Sequence, residues 1–146
     1  MSNNKKVPPR AVPDRDSKYM ALAWIIAGFS KDPNTQCGAM LIDSLNNPLG
    51  WGYNGPPRLI DDKSFSWSRP DKYDKIIHAE INALIKCDYN FPQKKIMYVT
   101  ISPCMLCSKA IINAGISKIV YHREYRDSTG IELLKQAGLE VVKFDT

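Results

Sequence analysis

The sequence predicts a single α/β domain in three layers, with a five-stranded mixed sheet between helices. Segments of strand length alternate with helical segments in the second half of the chain, which favours crossover units and helices on both faces of the sheet. A hairpin in the first half adds antiparallel strands. The chain has 146 residues, 44% of them hydrophobic, enough for one core but not for two. We predict one domain over 14–146 after a flexible tail over 1–13.

The first half of the domain predicts a helix followed by a hairpin. The segment KYMALAWIIAGFS, at 18–30, is apolar on nearly every face. We expect a buried helix there, in part against another subunit, with Asp16 or Ser17 as its cap. The segments CGAMLID and LGWGYN flank SLNN. Asn46 and Asn47 supply turn chemistry, so we expect two strands joined by a tight turn.

The second half predicts alternating helices and strands after a long connection. The 21 residues from Gly55 to Lys75 contain three prolines and no periodicity, and connections of this length are typically functional loops. We predict five strands and four helices in all. The elements after the loop are a helix at 78–88, a strand at 95–101, a helix at 104–114, a strand at 117–122, a helix at 128–137 and the strand LEVVKF.

Two of the four cysteines lie three residues apart at the start of a predicted helix. Cys104 and Cys107 follow Pro103, which suits the first turn of a helix. Positions three apart share a helix face, and the positive end of the helix dipole favours thiolates. The pair is half of a tetrahedral zinc site, although a C-x-x-C pair alone is equally consistent with a structural or redox role.

His78 and Glu80, at the opening of the preceding predicted helix, extend this pair to a metal site. Three ligands, His78, Cys104 and Cys107, would leave the fourth zinc position open for water, as catalytic zinc requires. Glu80 would then be free to transfer protons. Taken singly, His78 could be a capping or core histidine and Glu80 a solvated charge. Together with P-C-x-x-C, however, the motif H-x-E matches the known signature of zinc-dependent deaminases.

Charge and hydropathy disfavour several classes of function. The net charge is +5, but the segment 1–13 carries three basic residues and no acid, leaving 17 basic and 15 acidic residues elsewhere. This balance argues against a broad nucleic-acid surface. No segment approaches the roughly 18 apolar residues of a membrane helix, and the first residues lack the apolar centre of a secretion signal. We expect a cytoplasmic protein with neither a stable nucleic-acid partner nor a membrane.

These motifs resemble the cytidine deaminase superfamily over about 18–144. SKDPNTQ, and GYNG followed by Asp61 and Asp62, resemble its deoxycytidylate (dCMP) deaminase branch. The resemblance implies a cytidine-deaminase-like fold and hydrolysis of dCMP to dUMP and ammonia by zinc-activated water, supplying dUMP for thymidylate synthesis. It also implies a homo-oligomer, commonly a hexamer, activated by dCTP with Mg²⁺ and inhibited by dTTP. The residues that give some members a second zinc are missing, so we expect one catalytic Zn²⁺ per subunit.

The resemblance also implies substrate contacts. Carried over by position, the backbone N–H of Ala79 would hold the base carbonyl, the backbone carbonyl of Ser102 would face the exocyclic amine, and Asn54 would bind the sugar. In EYRD, at 124–127, the candidates for the substrate phosphate are Tyr125 and Arg126, because a guanidinium suits a phosphate dianion. A plain surface loop is the alternative.

An effector site is implied at GYNG and the acidic pair after it. A triphosphate and its cation would contact five residues there: Gly52, Tyr53, Gly55, Asp61 and Asp62. The alternative is a hairpin end that requires glycines, which does not exclude an effector. The loop from GYNG to HAE is shorter than in many relatives, so the details of effector binding are open.

Two rival functions stay open at this point. One is a deaminase of another base, such as tRNA adenosine or a free nucleoside, with the same metal ligands. The near-neutral body and GYNG disfavour it. The other is a catalytically silent zinc domain that senses nucleotides and binds partners. Glu80 disfavours it, because a structural site has no use for a free carboxylate beside an open ligand position.

Overall fold

The fold is a five-stranded mixed sheet in a computed structural model that describes residues 6–11 and 14–145. The strands follow the spatial order β2-β1-β3-β4-β5. β1 pairs antiparallel with β2 and β3, whereas β3, β4 and β5 are parallel. The predicted mixed sheet is confirmed. The strands are β1 Gly38–Asp43, β2 Pro48–Tyr53, β3 Lys95–Ile101, β4 Ile116–Arg123 and β5 Glu140–Lys143.

Helices cover both faces of the sheet, because side chains of successive strand residues point to opposite sides. On one face, α1 packs on Met40, Ile42 and Tyr98. On the other, α3, α4 and α5 pack on the alternate residues of the same strands, such as Leu41 and Val99. The helices are α1 Arg15–Ala27, α2 Asp71–Lys75, α3 Ala79–Ile85, α4 Met105–Asn113 and α5 Thr129–Gln136.

The helix count differs from the sequence prediction because of α2. This helix has five residues, too few to show a periodic pattern, and it lies at the end of the long loop. Across the described ranges, every helix is too short or too polar to cross a membrane. The predicted tail over 1–13 lies partly outside the described residues; within it, 6–11 are exposed and have no regular secondary structure.

The cap of α1 also differs from the prediction. Asp14 is the N-cap, and its carboxylate accepts the backbone N–H of Ser17 at 2.8 Å. Asp16 instead accepts the hydroxyl of Tyr98 at 2.6 Å. A cap side chain stands two or three residues before the N–H it accepts, and among neighbouring polar residues the sequence does not show which one has that geometry.

α4 begins one residue later than the proline suggested. Cys104 is the N-cap, and its sulfur accepts the backbone N–H of Cys107 at 3.5 Å. Pro103 therefore lies before the cap and not in the first turn. His78 is likewise the N-cap of α3. The predicted ligands thus stand at the starts of two helices.

The start of α5 packs against the cap of α4. A Cβ on Gly130 would lie 2.3 Å from the carbonyl oxygen of Pro103 and 2.7 Å from the carbonyl carbon of Cys104. Real Cβ atoms do not approach other atoms so closely, so only glycine fits here. The start of α5 therefore holds the backbone around Cys104 in place.

Candidate active site

The three predicted metal ligands meet between α3 and α4. Nδ1 of His78 lies 3.2 Å from the sulfur of Cys107 and 3.4 Å from that of Cys104, and all three donor atoms lie within 4.8 Å of one another. Tetrahedral zinc bonds of about 2.3 Å to sulfur and about 2.0 Å to nitrogen put such atoms about 3.5 Å apart. One imidazole and two thiols at these distances fit zinc.

Hydrogen bonds among these groups shift the pKa values of the two thiols in opposite directions. The pKa of Cys104 is lowered to about 4, chiefly because the thiol of Cys107 donates to it and His78 adds a second hydrogen bond. The pKa of Cys107 is raised by the same hydrogen bond and by burial. The hydrogen bond to Cys104 also raises the pKa of His78. One thiolate is thus ready to bind a cation, and the second must release its proton on binding.

Glu80, in the first turn of α3, stands beside the metal ligands. Its side chain is buried, with 4% of the residue exposed. Burial raises the pKa of its carboxyl to about 7, although the charge of His78 acts in the opposite direction. A carboxyl whose pKa lies near neutrality can both accept and release a proton under ordinary conditions.

A cavity of about 480 Å³ opens in front of His78, Glu80 and Cys104. Cys107 is buried behind it. The cavity lies between the ends of β3 and β4, the end of the hairpin, and α2. All five residues expected to contact the substrate line its wall: Asn54, Ala79, Ser102, Tyr125 and Arg126. The structure therefore brings together residues that are far apart in the sequence.

Asn54 lines the cavity, but its side chain is already engaged by the protein. Its Oδ1 accepts the backbone N–H of Cys37 at 2.8 Å, and its Nδ2 donates to the carbonyl of Thr35 at 2.9 Å. The hydroxyl of Ser30 donates to its backbone carbonyl. Asn54 thus holds the segment before β1 against the end of the hairpin.

Ser102 connects the end of β3 to the loop after β4. Its backbone N–H donates to the carbonyl of Arg123 at 2.8 Å, and its hydroxyl accepts the N–H of Tyr125 at 2.6 Å. Ala79 is the first residue of α3, so its N–H has no acceptor within the helix. Ala79 and Ser102 both line the cavity.

Three basic cavity residues were missed by the sequence reasoning: Arg69, Lys72 and Arg123. Lys72 forms a buried ion pair with Asp32. Arg69 and Lys72 belong to the segment without periodicity, and the only signal there was its length. Arg123 directly precedes the EYRD segment, and that adjacency could have identified it.

A second cavity, of about 900 Å³, lies on the outer side of the hairpin end. All five residues expected to contact an effector line it, together with the aromatic Phe29 and Trp51 and the cationic Lys31, Arg58 and Lys86. Asp62 forms an exposed ion pair of 2.9 Å with Lys31. Asn54 lines both cavities.

Gly52 sits where the second cavity meets α3. A Cβ there would lie 2.6 Å from the carbonyl oxygen of Ala79 and 2.6 Å from the nitrogen of Ala83, so β2 approaches α3 as closely as a glycine permits. A Cβ on Gly55 would meet only the ring of Tyr53, at 3.8 Å. The steric need for glycine therefore holds at Gly52 and not at Gly55.

Comparisons with known proteins identify the family. The model of the cytidine and deoxycytidylate deaminase zinc-binding region matches residues 13–123. Human deoxycytidylate deaminase is 38% identical over 137 residues, which cover 86% of this chain and 77% of that protein. The probable deoxycytidylate deaminase of Drosophila melanogaster is 38% identical over 117 residues, covering 73% of this chain and 58% of that protein.

Solved structures give the same result. A dCMP deaminase from the cyanophage S-TIM5, crystallised with dCMP and dUMP, superposes with a TM-score of 0.74 at 31% identity, covering 92% of this chain and 100% of that one. A tRNA A34 deaminase structure has a TM-score of 0.60 at 19% identity, a likeness that shows the fold alone. The chain belongs to the cytidine and deoxycytidylate deaminase family of zinc-dependent hydrolases.

Proposed function

We propose that this enzyme converts dCMP and water to dUMP and ammonia. The observation that carries the proposal is the convergence of His78, Cys104, Cys107 and the buried Glu80 at one end of a cavity. Relatives named deoxycytidylate deaminase, and a solved dCMP deaminase bound to dCMP and dUMP, support this substrate over others. The product would supply thymidylate synthesis.

Zinc held by His78, Cys104 and Cys107 would supply a water molecule of lowered pKa. Glu80 would take a proton from that water and deliver protons to the ring nitrogen and the departing amine. The free N–H of Ala79 would hold the base carbonyl, and the carbonyl of Ser102 would accept from the exocyclic amine. These contacts would hold the reacting carbon next to the attacking water. Such positioning lowers the barrier because the two reactants no longer have to find each other.

The opposite end of the substrate would carry the sugar and phosphate. Asn54 would face the sugar from the hairpin side of the cavity. Tyr125 and Arg126 follow β4 at the cavity rim. The guanidinium of Arg126 suits a phosphate dianion, because its parallel N–H groups can donate two hydrogen bonds at once.

Turnover assays test this function directly. Ammonia release should be measured with dCMP, cytidine, deoxycytidine and a tRNA carrying an adenosine at the wobble position, together with zinc content per chain. We expect one zinc per chain and a strong preference for dCMP. Preference for tRNA or a free nucleoside would replace this function with that of another deaminase. Zinc binding without turnover of any of them would indicate a nucleotide-sensing domain.

Regulation belongs to the same proposal. The second cavity combines aromatic faces with Lys31, Arg58 and Lys86, which suits a base and a triphosphate, and Asp61 and Asp62 could hold the accompanying Mg²⁺. Asn54 connects this cavity to the catalytic one. We expect dCTP with Mg²⁺ to activate and dTTP to inhibit. Turnover rates that neither nucleotide changes would contradict the effector site.

Assembly as a homo-oligomer, commonly a hexamer in this family, is also proposed. The outer face of α1 exposes Leu22 and Ile25, and Phe29 is exposed two residues after the helix ends; Ile25 is 64% exposed. Apolar side chains grouped in this way are typical of subunit contacts. Light scattering at several concentrations tests the assembly.

All four cysteines, each within the described range, are free thiols, consistent with a reducing cytoplasm.

A further inference from the structure

Part of the wall of the catalytic cavity is cationic. Three arginines line it: Arg69, Arg123 and Arg126. Within residues 6–11 and 14–145, none of these guanidinium groups forms an ion pair with a carboxylate. Two other charged lining residues are already paired, Lys72 with Asp32 and Glu124 with Lys143. This part of the wall therefore offers unpaired positive charge to an anionic ligand.

Among these arginines, Arg123 is fixed at both its backbone and its side chain. Its carbonyl oxygen accepts the N–H of Ser102 at 2.8 Å, so its backbone is tied to the segment that leads into Cys104. Its guanidinium carbon lies 4.7 Å from the centre of the Trp24 ring. Stacking on an aromatic face leaves the N–H edge of a guanidinium free to donate hydrogen bonds.

Trp24 is itself held in place. Its indole N–H donates to Nδ1 of His122 at 2.8 Å, and His122 meets the edges of Trp24 and Phe144 at ring distances of 5.7 and 5.5 Å. The indole cannot rotate without losing this hydrogen bond. A long side chain that is ordered before binding loses less conformational entropy when it binds.

We infer that Arg123 binds the phosphate of the substrate and determines the preference for a nucleotide over a nucleoside, with Trp24 and His122 as positioning residues. The inference rests on the proposed function for the identity of the substrate. It adds a phosphate ligand from β4 to the candidates in the loop that follows. Trp24 does not line the cavity, so its effect on the substrate passes through Arg123 and should be confined to substrates that carry a phosphate.

The test compares substrates with and without the phosphate. The kcat/KM values for dCMP and deoxycytidine are measured for the wild type and for Arg123→Met, Arg123→Lys, Trp24→Leu and Trp24→Phe. Lys109→Met, which removes an exposed charge on α4 away from the cavity, is the control for net charge. Binding of dUMP is measured by calorimetry on the same proteins, because it requires no turnover. Thermal midpoints verify that each variant is folded.

We expect Arg123→Met to lower the dCMP-to-deoxycytidine ratio of kcat/KM about 10-fold to 100-fold, the effect of losing a charge-assisted hydrogen bond. Trp24→Leu should lower it about fivefold, and Trp24→Phe less, because a ring face remains. Arg123→Lys should fall between the wild type and Arg123→Met. Lys109→Met should match the wild type. Weaker dUMP binding should follow the same order.

Two results separate this inference from the proposed function. A wild type that binds dUMP but turns over no dCMP would overturn the function, while a loss of dUMP binding in Arg123→Met would still support the phosphate site. A wild type that turns over dCMP, with an unchanged substrate ratio in Arg123→Met, would overturn the inference alone. Equal losses on both substrates would also overturn it, because they indicate a structural role.

Discussion

The two cavities on either side of the hairpin end contain different kinds of side chains. The catalytic one is formed by the start of α3, the cap of α4, the ends of β3 and β4 and the part of the long loop that contains α2, and it contains the buried Glu80. The second is formed by the end of β2, one side of α3 and the first part of the long loop, and it contains the exposed Phe29 and Trp51 and the ion pair of Lys31 with Asp62. Asn54 belongs to both. The two cavities therefore differ less in the elements that form them than in their charged groups: one contains a buried carboxyl, whereas the other is lined by exposed cations and carboxylates.

The largest effect should come from Glu80, whose buried carboxyl has no counterpart in the second cavity. Replacing Glu80 with Gln should lower kcat by about 10³-fold, because general acid–base catalysis contributes about 10² to 10⁴. Zinc content and thermal midpoint should stay near the wild-type values. The matched control is Glu132→Gln, an exposed glutamate in the first turn of α5. Full activity of the Glu80 variant would exclude it as the proton carrier.

The metal ligands should show the next largest effect. Cys107→Ser should lower zinc affinity by at least about 100-fold, because the site loses a thiolate donor. Zinc per chain, measured after dialysis, is the readout. Cys87→Ser is the control, since Cys87 donates only a weak hydrogen bond to a carbonyl at 3.6 Å and lies outside the metal cluster. Retention of zinc by the Cys107 variant would contradict the assigned ligand set.

The metal ligands were more accessible to prediction than the rest of the catalytic cavity. His78, Glu80, Cys104 and Cys107 match a known motif whose ligands suit zinc, and the structure brings them together. The sheet was predicted because its strands are regular. The short α2 and the pairing of Lys72 with Asp32 were not, since they depend on tertiary contacts of an aperiodic loop.

The two ion pairs near the cavities allow a smaller, purely structural test. Replacing Lys72 with Met leaves Asp32 buried without its partner and should lower the free energy of unfolding by about 3 to 5 kcal/mol. Lys31→Met removes the exposed pair with Asp62 and should leave the denaturation midpoint within experimental error. Urea titrations give the free energy of unfolding and the denaturation midpoint of both variants. A larger loss for Lys31→Met would show that the loop at the second cavity is held more firmly than its exposure indicates.

The smallest expected effect concerns effector response. Asp62→Asn should reduce the ratio of dCMP turnover with and without dCTP and Mg²⁺ by a few fold, because it removes one oxygen ligand and one negative charge. Asp145→Asn, near the end of the chain and outside both cavities, is the control. An unchanged ratio in the Asp62 variant would show that Asp62 is not a ligand of the cation.

The contact of Gly130 with Pro103 and Cys104 has a practical meaning for protein engineering. Residue 130 lies outside every motif that the sequence suggested, yet any side chain there would push on the turn that presents a sulfur to the metal. A library that varies α5 for thermostability could therefore lose enzyme activity through zinc depletion while its members still fold. Such libraries should be screened by metal content as well as by melting temperature.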